Sequence, residues 1–94
     1  MKAVTSISIL GCGTVGTTIG KGFLKLEHEV IFYDINKQRI KELHRNGFNA
    51  TLRIGDAVKI SQISFICVPT PTKEGRIDLS YVEAVVKRLQ ELVA

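Results

Sequence analysis

The chain has 94 residues, room for one domain and too few for separate cofactor and substrate domains. Of these, 32 are Val, Ile, Leu or Phe, far above the roughly 20% below which chains stay disordered, so a folded core is expected. The net charge is +4 but spread evenly, with seven Lys/Arg against four Asp/Glu in residues 1–50 and six against five in 51–94; without a basic run or an aromatic–basic ladder, this argues against a nucleic-acid interface.

The elements follow in chain order. Ile7, Ile9 and Leu10 form a short apolar run that ends at Gly11 and reads as a buried strand. From Thr14 the period changes to helical, with Val15, Ile19, Phe23 and Leu26 on one face and Gly16 and Gly20 on or beside it. Gly22 costs that helix about 1 kcal/mol relative to Ala with no evident return. Val30 to Tyr33 form a second strand ending at Asp34. Asn36 can cap a second helix with core residues Ile40 and Leu43, and Gly47 can end it. Ala50 to Leu52 are a weak third strand, and Asp56 to Ile60 one helical turn. Ile63, Phe65, Ile66 and Val68 make a strong later strand that stops at Pro69. Thr70 to Arg76 reads as a loop. Ser80 and Glu83 read as a capping box, with Leu79 as a staple, for a last helix whose Val82, Val86, Leu89 and Val93 align beside Val85.

Strands that alternate with helices argue for an α/β fold with a parallel sheet and right-handed crossovers. The expected architecture is a Rossmann-like sheet of about four strands in the order 3-2-1-4, flanked by helices. Two cysteines, Cys12 and Cys67, are too few for a disulfide scaffold. They read as small buried hydrophobes, although their strands are expected to be neighbours and a mutual disulfide is open. Met1-Lys2-Ala3-Val4 does not read as a signal peptide, and no apolar run is long enough for a membrane span. A soluble cytoplasmic protein is expected. His28 and His44 stand apart, without a cysteine or acid cluster, and read as loop or surface residues rather than metal ligands.

The chemistry concentrates in Gly11-Cys12-Gly13-Thr14-Val15-Gly16. A GxGxxG string alone is weak, and glycines that only make a tight turn read the same way. Here a strand precedes it, a helix follows, and a second strand ends in an acid. Gly11 allows the turn, Gly13 leaves room for a pyrophosphate, and Gly16 lets the helix sit against the strand. The helix N-terminus offers free N–H groups and a positive dipole end. Asp34 can accept from the adenosine ribose hydroxyls. Its charge favours NAD over NADP by repelling a 2′-phosphate, which Arg39 can offset. The loop Val68-Pro69-Thr70-Pro71-Thr72 follows the strand expected beside the first, so it is expected to face the glycine loop. Thr70 and Thr72 offer hydroxyls there, though a Pro-stiffened loop is the plainer reading.

The run from Ile7 to Asp34, the Val68-Pro69-Thr70-Pro71-Thr72 loop and Asp78-Leu79-Ser80-Tyr81-Val82-Glu83-Ala84 together resemble the N-terminal part of the UDP-glucose/GDP-mannose dehydrogenases. These nucleotide-sugar 6-dehydrogenases oxidise a sugar CH2OH to a carboxylate with two NAD. The resemblance implies that residues 1–94 form one NAD-binding domain, incomplete relative to the family. It implies a cofactor-binding set of Gly11, Gly13, Thr14, Val15, Gly16, Asp34, Arg39, Val68, Thr70 and Thr72. Arg39 would help to hold the adenosine end, and Thr70 would assist the water that transfers a proton near the nicotinamide. Lys73 is expected to be exposed, and His28 falls where the family commonly has a Gly-His-Glu-Val turn. The family's catalytic cysteine and lysine, its substrate domain and a longer insertion before the third strand are absent from these 94 residues.

The expectation is therefore an oxidoreductase lobe that binds NAD weakly, turns over no sugar nucleotide alone and acts on one only with the missing domain supplied. Two other classes stay open. One is a nucleotide-sensing module of the transporter-gating type, for which Gly55-Asp56-Ala57 speaks but Val68 to Thr72 does not. The other is a non-binding remnant that serves as an oligomerisation unit. A homo-oligomer is expected through the fourth strand or the last helix, since an exposed apolar edge pairs with other chains.

Overall fold

The structure is a computed structural model that describes residues 3–93. Met1, Lys2, Ala94 and the side chain of Val93 lie outside the described residues, and with them the Val93 position of the last helix face. Four parallel strands form one sheet: β1 (Ser6–Leu10), β2 (Glu29–Tyr33), β3 (Ala50–Thr51) and β4 (Ile63–Ile66). Their order is β3-β2-β1-β4, the order expected. Ile9 pairs with Phe32 on one side and Phe65 on the other, so β1 is central and its C-terminal end is flanked by both neighbours.

The strand period of two divides the core. Ile7, Ile9, Val30 and Phe32 point to one face, where they meet Ile40 and Leu43 of α2 (Lys37–Arg45) and Ile19 and Phe23 of α1 (Thr14–Lys25). Leu10 and Ile31 point to the other, against Ile54 and Ala57 of α3 (Ile54–Lys59) and Val85 of α4 (Ser80–Val93). The Ser8 hydroxyl on this second face is wholly buried and is satisfied by Ser64 Oγ at 2.6 Å and Ser61 Oγ at 3.0 Å.

Helix α1 buries the middle of the expected face, Ile19 and Phe23 with Gly16 and Gly20, but not its two ends. Val15 and Leu26 are each 66% exposed, and the backbone at Gly16 and Gly20 is what presses on the sheet. A Cβ at Gly20 would collide with the Phe32 ring, and one at Gly16 with the Gly11 carbonyl. The helix therefore rotates its glycines inward and moves Val15 and Leu26 to solvent. At its end Glu27 takes φ 67°, while the N–H groups of Glu27 and His28 return to the carbonyls of Leu24 and Phe23. That is a left-handed helix stop in which glycine is the favoured residue. Helix α2 starts where expected, with Asn36 Oδ1 accepting from the N–H groups of Gln38 and Arg39. It stops at Gly47, φ 84°, with Gly47 and Phe48 N–H on the carbonyls of His44 and Leu43.

Three other expectations change. The segment read as a loop contains a hairpin, β5 (Thr72–Lys73) and β6 (Arg76–Ile77), turned by Glu74 and Gly75, both at positive φ. Helix α4 already includes Ser80 as its first residue, so Ser80 is not the cap: its N–H bonds Asp78 Oδ1 at 2.9 Å, and Glu83 N–H reaches the Leu79 carbonyl. Among the described residues of α4 the buried one is Val85, with Leu89 beside it, while Val86 faces solvent. Both cysteines are free thiols.

Candidate functional site

The glycine loop leaves the central strand and is tied down on two sides. Gly11 N–H and the Cys12 thiol both donate to the Tyr33 carbonyl, at 2.8 and 3.1 Å. Gly11 sits at φ 109°, and a Cβ there would stand 2.6 Å from the Cys67 carbonyl oxygen and 3.0 Å from Val68 N. No other residue fits both that conformation and that approach. The end of β4 and Val68 are thus packed against the loop, as the sheet order requires.

Asp34 follows β2 and turns back to the same loop. Its Oδ2 accepts the Cys12 N–H at 2.8 Å and Arg39 Nη1 at 3.3 Å; its Oδ1 accepts the Asn36 N–H at 2.9 Å. The carboxylate is nearly buried, whereas the Arg39 side chain is half exposed. One acid therefore joins the glycine loop, the start of α2 and a cation.

A cleft of about 440 Å³ opens in front of this junction, lined by Cys12, Gly13, Thr14, Thr17, Thr18, Lys21, Arg39 and Glu42. Thr14, Thr17, Thr18 and Lys21 recur at helical spacing and make the polar side of α1. The same spacing is readable in the sequence, as a polar stripe opposite the apolar one. No atom lies within 4 Å of where a Gly13 Cβ would be, so the loop backbone is open to a close ligand. The first N–H groups of α1 have no side-chain cap. An anionic diphosphate fits this donor set and charge. A second hollow, about 370 Å³, lies at the other end of the strands, where His28 already accepts the Thr5 N–H and Glu29 the Ser6 hydroxyl.

Burial pushes the Cys12 thiol up to about 12, and the Asp34 charge adds to the effect. Burial also raises the Cys67 thiol. Neither is a nucleophile at neutral pH. His44 holds the Ala50 carbonyl at 2.6 Å, which links α2 to β3. Gly13, Thr14 and Arg39 line the cleft, Asp34 joins it through the Cys12 N–H and Arg39, Gly11 and Gly16 pack against each other behind it, Val68 lies against Gly11, and Val15 is exposed and does not line it. Thr70, in its loop, and Thr72, on β5, are exposed, and no hydrogen bond ties them to the glycine loop among the described residues. Lys73 is exposed, as expected.

Residues 44–94 match the sequence model of the UDP-glucose/GDP-mannose dehydrogenase family, NAD binding domain. The GDP-mannose 6-dehydrogenase of Pseudomonas aeruginosa is 33% identical over 104 positions, covering 88% of this chain and 24% of that protein. The UDP-glucose 6-dehydrogenase TuaD of Bacillus subtilis is 29% identical, covering 90% of this chain and 23% of that protein. Both alignments run longer than the 94 residues here, so these relatives carry residues within the stretch that this chain lacks. Among solved structures, an imine reductase from Pseudomonas sp. has the same fold, with a TM-score of 0.64 at 19% identity over 96% of this chain and 38% of its own. The chain spans about a quarter of the length of the curated dehydrogenases it matches. It belongs to the UDP-glucose/GDP-mannose dehydrogenase family, and the part of that family it represents is the NAD-binding domain.

Proposed function

We propose that this chain is the NAD-binding lobe of a nucleotide-sugar 6-dehydrogenase, which oxidises the CH2OH of a UDP- or GDP-linked sugar to a carboxylate. The observation that carries the reading is the junction of Asp34 with the glycine loop, through the Cys12 N–H, at the mouth of an open cleft. When bound, NAD supplies the hydride acceptor.

The N–H groups of Gly13, Thr14, Val15 and Gly16 receive the pyrophosphate, with Gly11 setting the turn. Asp34 takes the adenosine ribose. A carboxylate has about four acceptor sites, and three are engaged here, so the two ribose hydroxyls need the free site and the one that Arg39 holds. Arg39 then moves to the adenosine end. Val68, Thr70 and Thr72 border the nicotinamide side, and Thr70 assists the water that transfers a proton. With both thiols held protonated and no substrate domain among them, these 94 residues alone bind NAD weakly and turn over no sugar nucleotide. They associate with copies of themselves.

Asp34→Asn tests the ribose assignment. Hydrogen bonds to a charged group contribute roughly 1.5–3 kcal/mol, so NAD affinity is expected to fall about 10- to 100-fold. Unchanged affinity contradicts the assignment. NADH formed by the chain alone from NAD with UDP-glucose or GDP-mannose contradicts the lack of turnover.

A further inference from the structure

Two threonines in α1 use their hydroxyls differently. Thr18 donates to the Thr14 carbonyl at 2.7 Å, four residues back, which is ordinary helix back-bonding. Thr17 donates to the Cys12 carbonyl at 3.1 Å, five residues back and outside the helix. Its backbone N–H meanwhile bonds the next carbonyl, that of Gly13, at 3.0 Å. One residue thus holds two successive carbonyls of the glycine loop.

The consequence follows from peptide geometry. In a trans peptide the C=O and the following N–H point in opposite directions. Fixing the Cys12 carbonyl toward Thr17 turns the Gly13 N–H away from α1, to the open side of the loop. That N–H has no acceptor among the described residues, Gly13 lines the open cleft, and a Cβ added there would meet nothing within 4 Å beyond its chain neighbours. Flipping this peptide changes ψ of Cys12, for which both the helical and the extended range are allowed, and φ of Gly13, and a glycine accepts either sign of φ. Gly13 therefore does not enforce its own orientation, and the Thr17 hydroxyl does.

We propose that Thr17 is a positioning residue for the cofactor's pyrophosphate: its hydroxyl locks the Cys12–Gly13 peptide so that the Gly13 N–H faces the phosphate oxygens. This rests on the NAD-binding reading above and adds a residue at the cleft wall whose hydroxyl is spent on the loop.

Amide-resolved NMR titration of the chain with ADP-ribose, adenosine and inorganic pyrophosphate tests it. In the unsubstituted chain, ADP-ribose and pyrophosphate move the Gly13 amide proton downfield. Thr17→Val weakens ADP-ribose binding about three- to tenfold, the worth of one hydrogen bond, and leaves adenosine affinity within twofold. Thr17→Ser restores the affinity. Equal losses for ADP-ribose and adenosine mean general loosening of the loop and overturn the proposal, as does no loss for either. A Gly13 amide that stays still when pyrophosphate binds the unsubstituted chain overturns it without any variant. Failure of the unsubstituted chain to bind ADP-ribose contradicts the NAD-binding reading itself and removes the proposal with it.

Discussion

Cys12 shows how a single position in the glycine loop is set by its surroundings. Its N–H goes to Asp34, its carbonyl to Thr17 and its thiol to Tyr33. Burial keeps the thiol protonated in the folded state to about pH 12, whereas an unfolded cysteine ionises near pH 8.5. Above that value the unfolded chain holds fewer protons than the folded one, so stability falls as pH rises, by up to about 1.4 kcal/mol per pH unit for this one group. Thermal melts between about pH 8.5 and 10.5 are expected to lose stability faster than those of Cys12→Ser, which keeps a donor for Tyr33. Equal slopes contradict the buried, protonated thiol. At this scale the sequence was informative where backbone geometry dictates the residue, as at Gly11 and Gly16. The Asp34–Cys12 bond, between residues 22 apart, was not legible because it needs two loops brought together by the sheet.

The elements were readable in type and order, less so in the face each one buries. Apolar periodicity assigned Val15 and Leu26 to the interior of α1, but two glycines a turn apart bring the backbone closer than any side-chain stripe could. The hairpin of Thr72–Lys73 with Arg76–Ile77 was missed because two-residue strands carry no period, although Glu74-Gly75 is a turn signal. Glycines 20 and 22 of α1 give a contrast that tests the packing. Gly20→Ala drives a methyl into the Phe32 ring and is expected to cost about 1–3 kcal/mol. Gly22→Ala meets nothing within 4 Å and is expected to stabilise the helix by about 1 kcal/mol. Melting temperatures should therefore move in opposite directions, and a shift of the same sign in both contradicts this placement of α1.

For the molecule as a whole, the 3-2-1-4 order places β4 at one edge of the sheet. Its Ile63-Ser64-Phe65-Ile66 carries no charge, and Ile63 and Ile66 are 48% and 39% exposed. Natural edges are usually guarded by charge, proline or a bulge, and this one is not. Light scattering is expected to show an average mass that rises with concentration and returns to the monomer value in Ile66→Lys; a monomer throughout contradicts pairing at this edge. The order of the sheet was legible because the first two crossovers join neighbouring strands and the third returns the chain across the sheet to the free side of β1. On the proposed reading, the cleft between the glycine loop and Asp34 holds an adenine dinucleotide without a 2′-phosphate. Calorimetry of the purified chain with NAD, ADP-ribose and NADP tests it most directly. Binding of NAD and ADP-ribose, with NADP at least tenfold weaker, is the predicted result; no binding of NAD, or equal binding of NADP, would contradict it.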